Sequence, residues 1–309
     1  TKDIKTYIID YSWSPDSKKI LWSDKKNTLN ITDLATGKTT LVEESGVYVF
    51  NDFNWSPDSR FITYTRPEKT MSNIIVYEVA TGAKHIITDG WYDSDSPNFS
   101  SDGKYLIFES ARTFNPTYSQ TEWNHAYNNM TKVYILPLTK DAKIPFAPVN
   151  DMVNPTAAPK EADPVKDSKG KKKAPVKEEA LVYNFDNIES RVVELPIQAA
   201  NYRYLHMVGQ KVYYQRGGSV VMYDLDKKSE TDLGVYLIFG SGYKKALAIK
   251  DQKMQVIDVP TSAVSISEPI NLGDMKKLVD YHQEWMQIYN ESWRQMRDFF
   301  YAKNMHGVD

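Results

Sequence analysis

The sequence predicts an all-β fold: a β-propeller of four-stranded blades, about five of them in a partial array, followed by a long amphipathic α-helix. Three observations predict it. The stretch Trp13-Ser14-Pro15-Asp16-Ser17 returns as Trp55-Ser56-Pro57-Asp58-Ser59 and, degraded, as Phe99-Ser100-Ser101-Asp102-Gly103, at spacings of 42 and 44 residues. Each copy precedes a β-rich run: Lys19-Ile20-Leu21-Trp22, Phe61-Ile62-Thr63-Tyr64 and Tyr105-Leu106-Ile107-Phe108. A fixed period in this range marks units that bury their apolar faces by stacking on one another. After Gly273 the apolar spacing changes to steps of three, four and seven, the mark of a helix.

The first unit, about residues 1–46, divides into four strands near 8–13, 19–23, 29–34 and 39–43, joined by Ser-Pro-Asp-Ser, Asp24-Lys25-Lys26-Asn27 and Ala35-Thr36-Gly37-Lys38. Proline presets φ at the second turn position and aspartate bonds the local backbone, so the repeated motif reads as turn chemistry. Calcium binding by Asp16, Asp58 and Asp102 is disfavoured, because one aspartate per repeat places them far apart in a radial fold. The second unit, about 47–90, ends in Glu78-Val79-Ala80-Thr81-Gly82, which matches Asp33-Leu34-Ala35-Thr36-Gly37. In the third unit, about 91–149, residues 112–130 are an insertion between the second and third strands. It brings Ser119, Glu122 and His125 close in sequence, but nothing marks an activated nucleophile, and a triad is defined by geometry.

Residues 150–180 carry four prolines, many lysines and acids, and no aromatic residue. Such a run cannot bury enough apolar surface to offset chain ordering and is expected to be a disordered insertion. The fourth unit, about 181–234, opens at Tyr183-Asn184-Phe185 and includes a hairpin whose turn is Arg216-Gly217-Gly218-Ser219. The fifth, about 235–272, is weaker. A helix is expected from Asp274, its N-cap, to Lys303: about 29 residues and ~45 Å long. Its stripe of Leu278, Trp285, Met286, Tyr289, Trp293, Met296 and Phe300 reads as core, and His306 as a charge complementing the C-terminal dipole. The expected organisation is therefore blades one to three (1–149), the insertion (150–180), blades four and five (181–272) and the first helix of a helical domain (273–309). The start of the chain within a repeat, and a helix with no partner, carry the expectation of a segment from a longer chain.

A net charge of −2 selects neither nucleic acid nor an anionic membrane, and no apolar run reaches the ~20 residues of a membrane span. The absence of cysteine removes disulfides, thiol catalysis and thiolate metal sites. The 21 tyrosines and 7 tryptophans read first as sheet packing and second as a sugar-binding surface. There is no Gly-x-Ser-x-Gly elbow, metalloprotease motif, phosphate loop or dinucleotide fingerprint. The histidines His85, His125, His206, His282 and His306 show no zinc-ligand spacing. Accordingly no catalytic, cofactor-binding or metal residue is assigned.

The Trp-Ser-Pro-Asp-Ser repeats resemble TolB-type propellers. The order of further features is more specific. It runs through Ser110-Ala111-Arg112-Thr113-Phe114-Asn115-Pro116, Pro145-Phe146-Ala147-Pro148, a Lys/Pro-rich insertion, Phe185-Asp186-Asn187-Ile188-Glu189-Ser190-Arg191-Val192-Val193 and Leu195-Pro196. It ends with Trp293-Arg294-Gln295-Met296-Arg297-Asp298-Phe299-Phe300-Tyr301 through Met305-His306-Gly307-Val308-Asp309. Together these resemble the tricorn protease family of serine peptidases, particularly its bacterial homologues, over essentially the whole chain. The resemblance implies a parent with two propellers, then helical, PDZ and catalytic domains, of which this segment holds the last five blades of the second propeller and the first helix of the helical domain. It implies a catalytic serine and histidine outside the segment; no residue here matches either motif, and His306 precedes the family's catalytic histidine. It further implies oligopeptide substrates, a role in substrate access and scaffolding, a homo-oligomer, and a cytoplasmic or periplasmic location. Two alternatives remain: a TolB-like binding propeller that recruits a protein or peptide, and the propeller of a prolyl-oligopeptidase-type enzyme. The helical pattern from 274 argues against both.

Overall fold

The recurrent turn sets the geometry from which the rest follows. Ser14 Oγ donates to Asp16 Oδ1 at 2.6 Å and accepts from the Lys19 amide at 2.9 Å, and Ser17 sits at φ 59°. Ser56–Ser59 and Ser100–Gly103 repeat this, with Ser-to-Asp bonds of 2.6 Å in both and φ of 61° and 71°. Each turn reverses the chain between the first and second strand of a sheet. The computed structural model describes residues 6–114, 116–118, 125–147, 181–302 and 304–308. The expected disordered insertion, 150–180, lies outside the described residues.

Five antiparallel sheets follow in chain order. The first holds β1 (Ile8–Trp13), β2 (Lys19–Asp24), β3 (Thr28–Asp33) and β4 (Thr39–Glu44). The second holds β5 (Phe53–Trp55), β6 (Phe61–Arg66), β7 (Asn73–Glu78) and β8 (Lys84–Ile86). The third contains β9 (Ser94–Phe99) and β10 (Tyr105–Ser110). A separate hairpin, β11 (Pro116–Tyr118) and β12 (His125–Tyr127), is inserted before β13 (Lys132–Pro137), and β14 (Val193–Glu194) completes the sheet. The fourth holds β15 (Arg203–Val208), β16 (Lys211–Arg216), β17 (Ser219–Asp224) and β18 (Ser229–Asp232); the fifth holds β19 (Tyr236–Phe239), β20 (Lys245–Lys250) and β21 (Lys253–Asp258).

Adjacent sheets pack face to face. Leu21, Leu29 and Ile31 of the first meet Phe53, Trp55 and Ile62 of the second. Phe61, Ile74 and Val76 meet Phe99, Leu106 and Phe108. Ile107 and Ile135 meet Met207, Val212 and Tyr214, and Tyr213 and Met222 meet Leu237, Ala246 and Ala248. Period-2 alternation within central strands supplies both faces of each sheet, so every inner sheet is apolar on two sides.

Three expectations are corrected. First, 183–195 closes the third sheet and does not open the fourth: Glu194 pairs with Tyr134, Val193 with Ile135, and Tyr183 bridges Thr139. The edge of β13 is a row of unpaired backbone groups, and this segment satisfies it while Tyr183, Phe185 and Ile188 fill the core between the second and third sheets. Second, the fifth sheet has three strands. The edge of β21 is partly covered by the chain that follows: Ile270 donates to Met254 O at 2.7 Å, and Gln255 Oε1 accepts from the Ser267 and Glu268 amides. Third, α1 (Tyr281–Phe299) is capped six residues later than expected. Asp280 is the N-cap, its carboxylate accepting from the His282 and Gln283 amides, whereas the Asp274 carboxylate is engaged by Asn271. No residue of α1 is buried, so its aromatic stripe is not core within this chain. His306 lies in a separate short turn, Met305–Gly307, with its ring hydrogen-bonded to Tyr301, and does not cap α1.

Candidate functional site: a passage along the inner strands

The first strand of each sheet lies innermost, and one position recurs on all of them. Ser12, Asn54, Asn98, His206 and Ile238 each pair with the residue two beyond the start of the second strand: Leu21, Thr63, Ile107, Tyr213 and Leu247. Four of the five are polar. They stitch neighbouring blades: Asn54 Nδ2 donates to Pro97 O and Asn98 Nδ2 to Leu205 O, both at 2.9 Å, while Trp55 Nε1 donates to Ser12 O at 3.2 Å. Tyr243 of the fifth blade reaches His206 Nδ1 at 3.2 Å. Tyr243 is held by a fourth copy of the recurrent turn, in which the Gly240 amide donates to Lys245 O at 2.9 Å and Tyr243 takes φ 52°. That copy is invisible in the sequence because Gly-Ser-Gly-Tyr replaces Ser-Pro-Asp-Ser.

Three cavities run in series along these strands. One of about 600 Å³ is lined by all five blades at the end carrying the recurrent turns, including Ser12, Pro57, Ser101 and Phe239. It shares Asn54, Asn98 and His206 with a middle cavity of about 410 Å³. The middle one shares Glu109, Tyr202 and Arg203 with a third, of about 210 Å³, at the opposite mouth. Asn54, Asn98 and His206 thus stand where the first two cavities adjoin, the neck of the row.

The opposite mouth is acidic. Burial raises the Asp95 carboxyl to about 6, helped by the charges of Asp93 and Asp52. Burial likewise raises Glu109 to about 7; the Ser96 hydroxyl, donating at 2.8 Å, and Arg203 oppose the rise, while Asp95 and Asp52 add to it. Asp52 is raised by burial and then by Asp10. Ser96 and Tyr204 both adopt φ 54°, at shifts of register in β9 and β15, so these inner strands bulge beside Asp95 and Arg203. The last turn of α1 docks at this same end. Phe299 packs edge-on against Tyr7 at 4.9 Å with Lys25 Nζ 5.4 Å from its ring, and Gln295 donates to the Tyr7 hydroxyl.

The aspartates considered for calcium are consumed by their own turns, and the Ser14 hydroxyl holds Asp16 below the usual carboxylate range. Ser119 and Glu122 lie outside the described residues, and His125 begins β12 opposite Tyr118. Among the described residues, no group of three or more His, Asp or Glu has metal-site geometry. The sequence reading missed Asp52, Asp95, Glu109, Arg203 and Tyr243. A signal existed for part of this: the repeat extends four residues upstream of its serine, as Asp10-x-Ser12-Trp13-Ser14 and Asp52-x-Asn54-Trp55-Ser56.

A stack of radial antiparallel sheets around a polar passage is the architecture of a β-propeller, built here from five blades. Residues 1–259 match the family model of the tricorn protease second beta propeller domain, and residues 281–309 that of the tricorn protease C1 domain. The chain belongs to the tricorn protease family. It is 25% identical, over 93% of its length, to a putative tricorn-like protease C-terminal subunit of Sulfurisphaera tokodaii and, over the same share, to a tricorn protease homolog of Saccharolobus solfataricus. It is 24% identical over 87% of its length to the tricorn protease of Thermoplasma acidophilum. The chain spans 33%, 27% and 25% of the lengths of these relatives, a third or less of each. A crystal structure of the tricorn protease superposes with a TM-score of 0.74 at 19% identity, covering 96% of this chain and 29% of the other, which establishes the shared fold. Among the described residues no helix is long and apolar enough to cross a membrane, a statement that does not extend to β-barrel spans.

Proposed function

We propose that this chain is the non-catalytic propeller segment of a tricorn-like serine peptidase, and that its passage admits oligopeptides toward an active site carried elsewhere in the parent. The observation that carries this reading is the neck. The same position on successive blades supplies Asn54, Asn98 and His206 to a passage whose acidic mouth lies at the end where α1 docks. A route that must accept many peptide sequences is served by polar, uncharged side chains at its neck. The α1 segment, matched to the C1 domain, gives the scaffolding side of the proposal: it is where the parent's helical, PDZ and catalytic domains would continue. Peptide substrates, those domains and a homo-oligomer are the partners in this reading.

The chain alone is expected to hydrolyse no chromogenic peptide, with or without chelator, whereas the parent hydrolyses oligopeptides through a serine nucleophile. Hydrolysis by the purified chain that is abolished by Ser119→Ala would overturn the non-catalytic assignment. A parent sequence without a downstream Ser-His pair, PDZ pattern and nucleophile would overturn the peptidase.

A further inference from the structure

The inter-blade stitches at the neck leave atoms over. Because Asn54 Nδ2 and Asn98 Nδ2 each donate to a carbonyl, both amides are oriented, with Oδ1 turned away from those carbonyls, and Tyr243 also bonds the Asn98 side chain. Asn98 Nδ2 also approaches His206 Nδ1 at 3.3 Å. An amide nitrogen only donates, so Nδ1 carries the lone pair and the ring proton sits on Nε2. Burial lowers the His206 imidazole to about 4, which keeps it neutral at pH 7. Its ring rests on Phe239 with centroids 4.5 Å apart. The neck therefore combines one N–H donor with two amide acceptors, all uncharged, from three consecutive blades.

We propose that Asn54, Asn98 and His206 form a collar that binds the main chain of an extended peptide, His206 Nε2–H donating to a peptide carbonyl and the two Oδ1 atoms accepting from peptide N–H groups. The proposal rests on the reading of the passage as a peptide route and adds what is recognised there. A mixed set of neutral donors and acceptors matches the alternating N–H and C=O of a peptide unit, which every sequence shares. The collar atoms themselves offer no counter-charge for an ionic side chain; the charged groups nearby are Asp52, Glu109 and Arg203 in the middle cavity and Asp95 at the mouth. The collar thus selects for unfolded chain rather than for sequence.

The test is fluorescence anisotropy of the 309-residue chain at pH 7 with a labelled octapeptide of alternating alanine and serine, against the same peptide N-methylated at alternate amides. The unmodified peptide is expected to bind roughly tenfold more tightly, the loss set by one or two neutral hydrogen bonds. His206→Phe, which keeps the ring packing on Phe239 but removes the donor, is expected to weaken the unmodified peptide by about fivefold. His206→Gln, which restores an N–H, recovers part of that. In ¹⁵N spectra of the imidazole, Nε2 is expected to be protonated and to shift on peptide addition. Equal binding of the two peptides, with His206→Phe unchanged, overturns the collar and leaves the peptide route standing. Failure of both peptides to bind overturns the route and the collar together.

Discussion

At the scale of single residues, the same side-chain types do two different jobs, and only one is legible from sequence. Ser14, Ser56 and Ser100 with their aspartates are turn punctuation, as proline and aspartate at those positions dictate. Ser56 is fully buried and its oxygen accepts from the Phe61 amide at 2.9 Å, so Ser56→Ala orphans a buried N–H. The expected cost is about 2 kcal/mol, read as a shifted urea midpoint with unchanged slope. Asp52, Asp95 and Glu109 were not legible as a group: Asp95 and Glu109 pair across β9 and β10 only after a register shift, and Asp52 joins them from the preceding blade once the blades are arranged around the passage. Their raised affinity for protons has a definite sign. The Glu109 carboxyl rises from 4.5 to about 7, so the folded state binds the proton more tightly than the unfolded chain. Its contribution is favourable below the unfolded value and is lost as pH rises through that window. His206, lowered to about 4, acts oppositely over part of the range, so the difference between wild type and Glu109→Gln isolates the carboxyl. Glu109→Gln should gain on wild type, by on the order of 2 kcal/mol, between acid pH and pH 8 in paired denaturation curves. A pH-independent difference would remove Glu109 as the titrating group.

At the scale of elements, local pattern located strands well and assigned their sheets less well. The alternation of β1 to β4 and the Gly-Gly hairpin of β16 and β17 were readable because each is closed by contacts near in sequence. The membership of β14 was not, because its partner β13 lies far upstream across the insertion, and short-range pattern carries no information on such pairing. The start of α1 was misplaced because two aspartates stand before the apolar stripe and either can cap. Asp280 does so, and Asp280→Ala should cost the helix about 1 kcal/mol, with loss of ellipticity near 222 nm and no change in strand signal. Phe299 is the ring that ties α1 to the first blade through Tyr7 and Lys25. Phe299→Ala should raise exchange of the 281–299 amides roughly tenfold while the blade strands keep their protection. Loss of protection in β1 to β4 would mean instead that the contact supports the blade.

At the scale of the whole molecule, the repeat period made the blade array legible, and the passage followed from it only once equivalent positions were aligned in space. The neck is built from Asn, Asn and His, residues with no common sequence signature, and what unites them is their register against the second strand. What the chain itself carries is a polar neck on the inner strands and an acidic mouth at the end where the helix docks. The cysteine-free sequence offers a direct test. Ser12→Cys, introduced into the parent enzyme with any other cysteines replaced, places one thiol on the wall of the passage beside the neck. A bulky reagent attached there by a disulfide should lower oligopeptide turnover by roughly tenfold or more, a change of at least about 1.4 kcal/mol in the apparent barrier, and reduction should restore it. Turnover unchanged with the thiol fully modified would contradict the passage of substrate through these blades.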